Sequence, residues 1–325
     1  MKAIWIDSLG GPEVMQVIDM PIPEPGRKEV RIKVESVGLN YSDIMIREGR
    51  YLQRTELPQV LGRELAGVVD AVGPEVTRVQ PGQRVYATSA SGALAEYCIA
   101  HQGAVFPLPD AMTSDLAVAL IVQGLTALHC LDHHGRLNAG ETVLIHAAAG
   151  GVGTLAIQMA RHFGAGKIIG TASSEAKLAV IRELGAEAVN YTEPDWADQV
   201  LALTGGRGAD LILESVGGEV FWTSYRRLLA FAGRIVIFGI ASTEVNQLHT
   251  NEILRRNKTI IGYFLGEYFE KARDHVVRDT ARVLEMVLSG AVKPVIDTPF
   301  SLENAVDAFN HMQNRKNIGK VIIKP

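Results

Sequence analysis

Apolar and polar residues change their rhythm once along this chain. Up to about residue 112 the apolar positions fall in short runs cut by glycine and proline. The runs Lys2–Ile6, Val30–Val37, Leu65–Val72, Arg84–Ala87 and Glu96–Ile99 predict strands. Pro21, Pro23 and Pro25 predict an extended crossing, and Tyr41–Arg47 a short helix ending near Gly49. After Met112 the spacing turns helical. Thr113 or Ser114 can cap a helix whose apolar positions include Leu116, Leu120, Leu125 and Leu128, closing at Gly135. From there short apolar runs alternate with amphipathic stretches. Strands are expected at 142–146, 167–171, 187–190, 210–215, 233–238 and 259–264, with Gly164 and Gly185 as helix C-caps between them. The expected fold is α/β: a doubly wound parallel six-stranded sheet, the complement of a full Rossmann domain, beside a β-rich domain. The tail predicts a helix at about Arg273–Ser289, another from Ser301, and a last strand, Lys320–Ile323. The expected division is 1–121 for the β-rich domain, 122–264 for the Rossmann domain, and 265–325 returning to the first.

Composition narrows the function. A chain of 325 residues is too long for one ordinary core. Its net charge of −4, with no basic block, gives nucleic acid nothing to hold. Cys98 and Cys130 are the only cysteines, so no disulfide framework exists, and a reducing, cytoplasmic setting is expected. The stretch MKAIWIDSLGG is too short in its apolar part for a signal peptide, and no apolar run approaches the roughly 20 residues that span a bilayer. No membrane partner is expected.

One bend carries candidate chemistry. Residues 146–153 read HAAAGGVG, between the expected strand at 142–146 and a helix through Leu155–Ala160. At such a turn the backbone N–H groups and the helix dipole converge and favour a phosphate. Gly150 and Gly151 omit Cβ atoms that would block a pyrophosphate, and Gly153 lets the helix pack tightly on the sheet, with Ala149 and Val152 between. Ala148 replaces the first glycine of the usual G-x-G-x-x-G. Alone this remnant also suits plain helix–strand packing; the six alternating strands favour the binding reading. The second strand runs into Ala172-Ser173-Ser174-Glu175-Ala176-Lys177, with no acid at its end. Lys177 would neutralise a 2′-phosphate and Ser173 or Ser174 would bond it, so NADPH is the expected cofactor. The competing reading makes Lys177 a solvated lysine and gives the ribose of NADH to Glu175.

The segments GGPEVMQV at 10–17, PIPEPGRKEVRIKVESVGLNYSDIMIREGRY at 21–51, LGRELAGVVDAVG at 61–73, PGQRVYA at 81–87, HAAAGGVG at 146–153 and ESVGG at 214–218 together carry a resemblance. The chain resembles the medium-chain dehydrogenase/reductase superfamily, and within it the zinc-free NADPH quinone oxidoreductases of zeta-crystallin type. The resemblance runs the whole length. It implies a GroES-like catalytic domain plus a Rossmann domain, with the active site in the cleft between them, and a homodimer joined through the strand near Thr259–Phe264. It also implies that Lys177, Tyr191 and Arg315 gather around the 2′-phosphate with Ser173. The family's FGNSSG-type segment is FGIAST here, 238–243, which keeps Phe238 and Gly239 but puts Ile240 in place of an amide. Tyr263 and Phe264 would border the nicotinamide; the other reading makes them core or dimer contacts.

Zinc members of the superfamily place Cys in GxCxxD and His in GHE. Here the same places read Gly38-Leu39-Asn40-Tyr41-Ser42-Asp43 and Gly62-Arg63-Glu64, and Gln123 stands near the third ligand position. Neither amide nor guanidinium is a normal zinc ligand, so no catalytic metal is expected. His129, Cys130, His133 and His134 have helical metal-binding spacing, but the sequence shows no further ligand. Without zinc to hold an alkoxide, the favoured acceptor is one that spreads charge itself: a quinone, or alternatively an α,β-unsaturated aldehyde, ketone or enoyl thioester. A third possibility is a non-catalytic NADPH-binding protein. The expected substrate lining is Asn40, Tyr41, Tyr51, Gln123 and Thr126, with Asn40 and Thr126 toward the nicotinamide end. Asp43 and Arg63 are expected to pair in the emptied metal pocket, and His146 to be a buried strand-end residue bonded to backbone.

Overall fold

The glycine- and proline-cut runs of the first 110 residues fold as strands. A computed structural model describes every residue of the chain except 89, 90, 243 and 245. Glu29–Gly38 alternates buried and outward positions from Val30 to Val34, then buries Ser36, Val37 and Gly38 together. It pairs antiparallel with Glu64–Val72, with Tyr97–His101, and with the last strand, Ile322–Lys324, which meets it through Ile322 and Gly38. The helix Tyr41–Arg47 forms where the pattern places it, and Gly49 follows at φ 69°, a left-handed value that suits glycine. These elements belong to one unit, Met1–Val122 with Ile296–Pro325. Its core joins Ile4, Ile32, Leu65, Val85, Phe309 and Ile323.

The second unit, Gln123–Val295, holds six parallel strands. Their order across the sheet is Glu187–Asn190, Lys167–Ala172, Thr142–Ile145, Ala209–Glu214, Leu229–Ile237, Thr259–Gly262. This is the full doubly wound order, and its direction reverses between Thr142–Ile145 and Ala209–Glu214. Ligands of such sheets bind beyond the carboxyl ends of the strands at that reversal. Gly164 and Gly185 take φ of 83° and 81° after their helices, as the C-cap reading requires.

Two expectations are corrected. The helix Ser114–Leu128 runs on through a π-helical turn, His129–His134, and Thr113 Oγ1 caps its start by accepting the Leu116 N–H at 3.2 Å. The joined helix Ser114–His134 is long and apolar enough, by length and composition, to cross a bilayer, contrary to the reading that no run approaches that length. With 83% of its most apolar 18-residue window buried, it is a core helix. The chain also leaves the second unit at Ile296, not at 265. The helix Arg273–Leu288 buries Val276, Asp279, Val283 and Met286. Asp279 bonds His129, and Gln158 exchanges two bonds with the Lys293 backbone, so this stretch is packed into the second unit.

Candidate active site

In the first unit the strand end at Gly38 and the helix at Tyr41 frame a buried polar network. Asn40 precedes the helix; its backbone N–H donates to Asp43 Oδ2 at 2.8 Å, and the Asp43 N–H donates back to the Asn40 carbonyl. The Asn40 amide donates to the Gly38 carbonyl at 3.1 Å and to Glu64 Oε2 at 2.9 Å. Lys320 Nζ donates to Glu64 Oε2 at 2.7 Å and to Asn40 Oδ1 at 2.9 Å. Tyr86 OH and the Val122 N–H donate to Glu64 Oε1, each at 3.2 Å. Gly38 is required here: a Cβ at that position would stand 2.6 Å from Lys320 Cε and 2.8 Å from Glu64 Oε2. Where a metal-binding relative would carry ligands, this chain has a lysine–carboxylate pair wrapped by an amide.

Several expected roles shift accordingly. The Asn40 amide is taken up by the network rather than left toward a ligand. Asp43 and Arg63 form no ion pair. Arg63 instead lies over the Tyr51 ring, 5.4 Å from its centroid, and hydrogen-bonds the phenol, while Asp43 keeps one buried oxygen without a partner. Burial pushes the Asp43 carboxyl up to about 6, against the pull of its Asn40 N–H bond and of Lys320. The Tyr41 hydroxyl bonds the Arg50 side chain. Tyr41 and Tyr51 both pack on the core of this unit.

In the second unit the bend opens the helix Gly151–His162. Gly150 is its N-cap, with no side chain capping it, and the N–H groups of Val152 and Gly153 have no protein acceptor among the described residues. These are the groups that receive an anion at a helix start. Ala149 is buried beside them. Gly153 does let the helix sit tight: a Cβ there would be 2.5 Å from the Ala147 carbonyl oxygen and the Ala148 Cα. Gly151 has a different reason from the one the sequence offered. A Cβ on it would run into Gln123, 1.8 Å from Oε1. Gln123 is itself buried, and its Oε1 lacks a partner.

Beyond the neighbouring strands, Ser173 and Lys177 are half-buried, Lys177 standing in the first turn of the helix Glu175–Glu183. Tyr191 follows the adjacent strand and donates its N–H to the Ala172 carbonyl, which brings it beside Ser173. Glu175 is turned along its own helix to Arg182, at 2.5 Å. Phe238 and Gly239 follow the fifth strand, which ends at Ile237, with Ile240 exposed after them; Thr243, the last residue of FGIAST, lies outside the described residues. Arg315 is an exposed residue at φ 54° after the helix Ala305–Gln313 of the first unit.

Tyr263 turns inward. Its hydroxyl bonds His129 Nδ1 at 3.0 Å and the Thr126 side chain, so both side chains serve the interior of this unit, while Phe264 caps the following helix. His146 is buried as expected, but side chains rather than backbone hold its ring. Nδ1 meets Thr171 Oγ1 at 2.9 Å and Nε2 meets Ser224 Oγ at 2.7 Å. Burial lowers His146 to about 3, so the imidazole stays neutral. Glu214, 3.8 Å from His146, accepts the Val216 and Gly217 N–H groups, and burial pushes it up to about 7. Glu64, Lys320, Tyr86, Glu214 and Asp279 were not singled out from the sequence. The one signal was a lysine within the apolar run ahead of the last strand, a charge where burial is expected.

A 3-2-1-4-5-6 parallel sheet with a phosphate-ready bend, carried in one chain with a β-rich unit, defines a medium-chain dehydrogenase/reductase. Residues 26–110 match the alcohol dehydrogenase GroES-like domain, and residues 151–282 match the zinc-binding dehydrogenase family. The quinone oxidoreductase of Pseudomonas aeruginosa is 34% identical over 100% of this chain and 99% of its own length. The crystal structure of Pseudomonas syringae quinone oxidoreductase superposes with a TM-score of 0.93 at 34% identity, covering 100% of this chain and 99% of that one. The Escherichia coli quinone oxidoreductase, crystallised with NADPH, gives 0.94 at 29% identity with both chains fully covered. The chain belongs to the zinc-free quinone oxidoreductase family of that superfamily, and it is an oxidoreductase. The family that matches its second half is named for zinc, yet Asn40, Arg63 and Gln123 hold the metal positions here.

Proposed function

We propose that this protein is an NADPH-dependent quinone reductase that transfers hydride without a metal. The observation that carries the reading is the Asn40–Glu64–Lys320 network. The Glu64 carboxylate, next to the Arg63 that stands at the His position, is bound to a lysine, to the Asn40 amide and to a tyrosine, so no ligand set is on offer for a Lewis acid. An acceptor must then delocalise the charge it receives, as a quinone does. When bound, the coenzyme would supply a hydride from nicotinamide C4. The chain's part is to hold and orient it. The N–H groups of Val152 and Gly153 would take the pyrophosphate. Lys177, Ser173 and Tyr191 would take the 2′-phosphate, since Glu175, the acid that could serve NADH, is paired with Arg182. Gln123 Oε1, buried and lacking a donor, would accept an N–H from the bound coenzyme. The NADPH complex of the Escherichia coli relative supports this choice. The sixth strand, Thr259–Gly262, is an edge of its sheet and supports the expected homodimer, which light scattering would check.

The test is NADPH oxidation with 1,4-benzoquinone, phenanthrenequinone, crotonaldehyde and an enoyl thioester. Turnover of the quinones is expected. Activity confined to the last two acceptors, or binding of NADPH with no turnover at all, overturns the reading. Lys177→Ala should raise KM for NADPH about tenfold or more, the scale of one charge-assisted contact, and leave KM for NADH nearly unchanged. Equal effects on both coenzymes would remove the 2′-phosphate assignment.

A further inference from the structure

The π-helical turn that ends the long core helix does something its sequence left incomplete. It stacks His129 on His133, with ring centroids 4.7 Å apart and planes 16° from parallel. Both rings send Nε2 to the same atom, Asp279 Oδ2, His129 from 3.1 Å and His133 from 3.4 Å. Asp279 comes from the helix Arg273–Leu288, 150 residues further along the chain from His129. We propose that His129, His133 and Asp279 form a binding site for a divalent d-block cation, with Zn2+ as its type, apart from the coenzyme and substrate residues.

Three features argue for it. The first is spacing. The three ligand atoms lie within 4.8 Å of one another. A tetrahedral ion with bonds of about 2.1 Å sets its ligands about 3.4 Å apart; the two edges to Asp279 Oδ2, 3.1 and 3.4 Å, match that figure, and the stacked rings must turn toward one another to close the third. The second is orientation. Tyr263 OH meets His129 Nδ1 at 3.0 Å, an outer partner that can accept the ring N–H once Nε2 gives up its proton to a cation. Arg278 and Arg282 hold Asp279 Oδ1 at 3.1 and 3.5 Å, presenting Oδ2 to the histidines. The third is access. His129 and Asp279 are fully buried, while the His133 side chain is 19% exposed, which leaves an open fourth position for water.

Two guanidinium groups stand against the site. Arg278 also reaches Asp279 Oδ2, at 3.2 Å, and must swing away for a cation to bind; at 53% exposure it has solvent to move into. Asp132, bonded to Arg282 at 2.8 Å, offsets part of that positive charge. The rival account is that the trio is a hydrogen-bonded staple joining the two helices and nothing more.

Zn2+ titration of the chelator-stripped full chain, in competition with a chromophoric chelator, separates the two. A single tight equivalent is expected, with visible d–d bands of a low-symmetry site when Co2+ replaces Zn2+. His133→Ala changes a partly exposed residue and should weaken binding about 100-fold or more and abolish the Co2+ bands, since it removes a ligand outright where outer partners alone cost 10–100-fold. Zn2+ should raise the Tm of the native chain and leave that of His133→Ala unmoved. Asp279→Asn gives the same reading should His133→Ala fail to fold, and His311→Ala, in the other unit, should bind as the native chain does. No Zn2+ bound by the native chain, or equal affinity in His133→Ala, means a staple only and overturns the site.

Discussion

Lys320 is buried out of water, and it is held there because Glu64 and Asn40 accept its N–H bonds at 2.7 and 2.9 Å. Such a pair adds little over an apolar replacement, but removing one partner leaves the other buried and uncompensated. Lys320→Met should therefore lower the stability of the first unit by about 3–5 kcal/mol, read by urea unfolding. Lys320→Met with Glu64→Leu should recover most of that loss. A single substitution costing under about 1 kcal/mol would mean the pair is effectively solvated. Reading the sequence residue by residue found Asn40 and Gln123, because motif spacing points at them. It did not find Lys320 or Glu64 as partners, because a separation of 256 positions carries no periodic signal of that contact. For the same reason it paired Asp43 with Arg63: both stand near the emptied metal position in sequence, and only the fold shows Arg63 lying on Tyr51 instead.

At the scale of elements, the glycine bend separates two jobs that the sequence merged. Gly153 is a packing glycine, since a Cβ would meet backbone atoms of Ala147 and Ala148 at 2.5 Å. Gly150 has an ordinary φ of −79°, and among the described residues the close neighbour of a Cβ there would be the Ala147 oxygen at 3.2 Å. Gly153→Ala should then cost about 1–3 kcal/mol of stability, the range for an overfilled core. Gly150→Ala should leave Tm nearly unchanged yet weaken NADPH about tenfold, or about 1.4 kcal/mol, by crowding the pyrophosphate. Thermal melts beside coenzyme titrations of both variants check this, and the idea fails if Gly150→Ala melts early and binds normally. Strands and helices were the legible part of the fold, because burial on a twisted parallel sheet imposes its period directly on the sequence. The fifth strand shows the limit. It begins at Leu229, not 233, because a register shift carries it past Ala232, at φ 56°, and Gly233, which reads in sequence as a break. The division of the tail was lost likewise: the helix Arg273–Leu288 looks amphipathic from any side, and only Asp279 and the Gln158–Lys293 bonds decide which unit it joins.

The whole molecule should answer pH unevenly, because its buried titratable groups are split between the units. In the first, Asp43 is raised from 3.8 to about 6, chiefly by burial. A carboxyl with a raised folded value binds more protons folded than unfolded between those two pH values. Its contribution is full below about 3.8 and is lost as pH rises through about 6, by up to about 3 kcal/mol. In the second unit Glu214, raised from 4.5 to about 7, acts with the same sign. His146, lowered from 6.5 to about 3, acts oppositely: the unfolded chain binds the extra proton, so stability is lost as pH falls from 6.5 toward 3. His129, in the same unit and lowered from 6.5 to about 4, adds to His146. Between about 4.5 and 6.5 the two histidines therefore outweigh Glu214. The first unit should weaken as pH climbs from about 4 to 6 while the second gains stability, and the gap between their unfolding transitions should change with pH. Variants that keep Trp5 as sole tryptophan report on the first unit, and those that keep Trp196, edge-on to His146 at 6.0 Å, report on the second. Asp43→Asn should flatten the first profile, and Glu214→Gln should steepen the rising slope that His146 and His129 give the second. A first-unit profile that Asp43→Asn does not alter would mean that Asp43 is ionised in the fold at pH 5, and that water reaches the oxygen left without a partner.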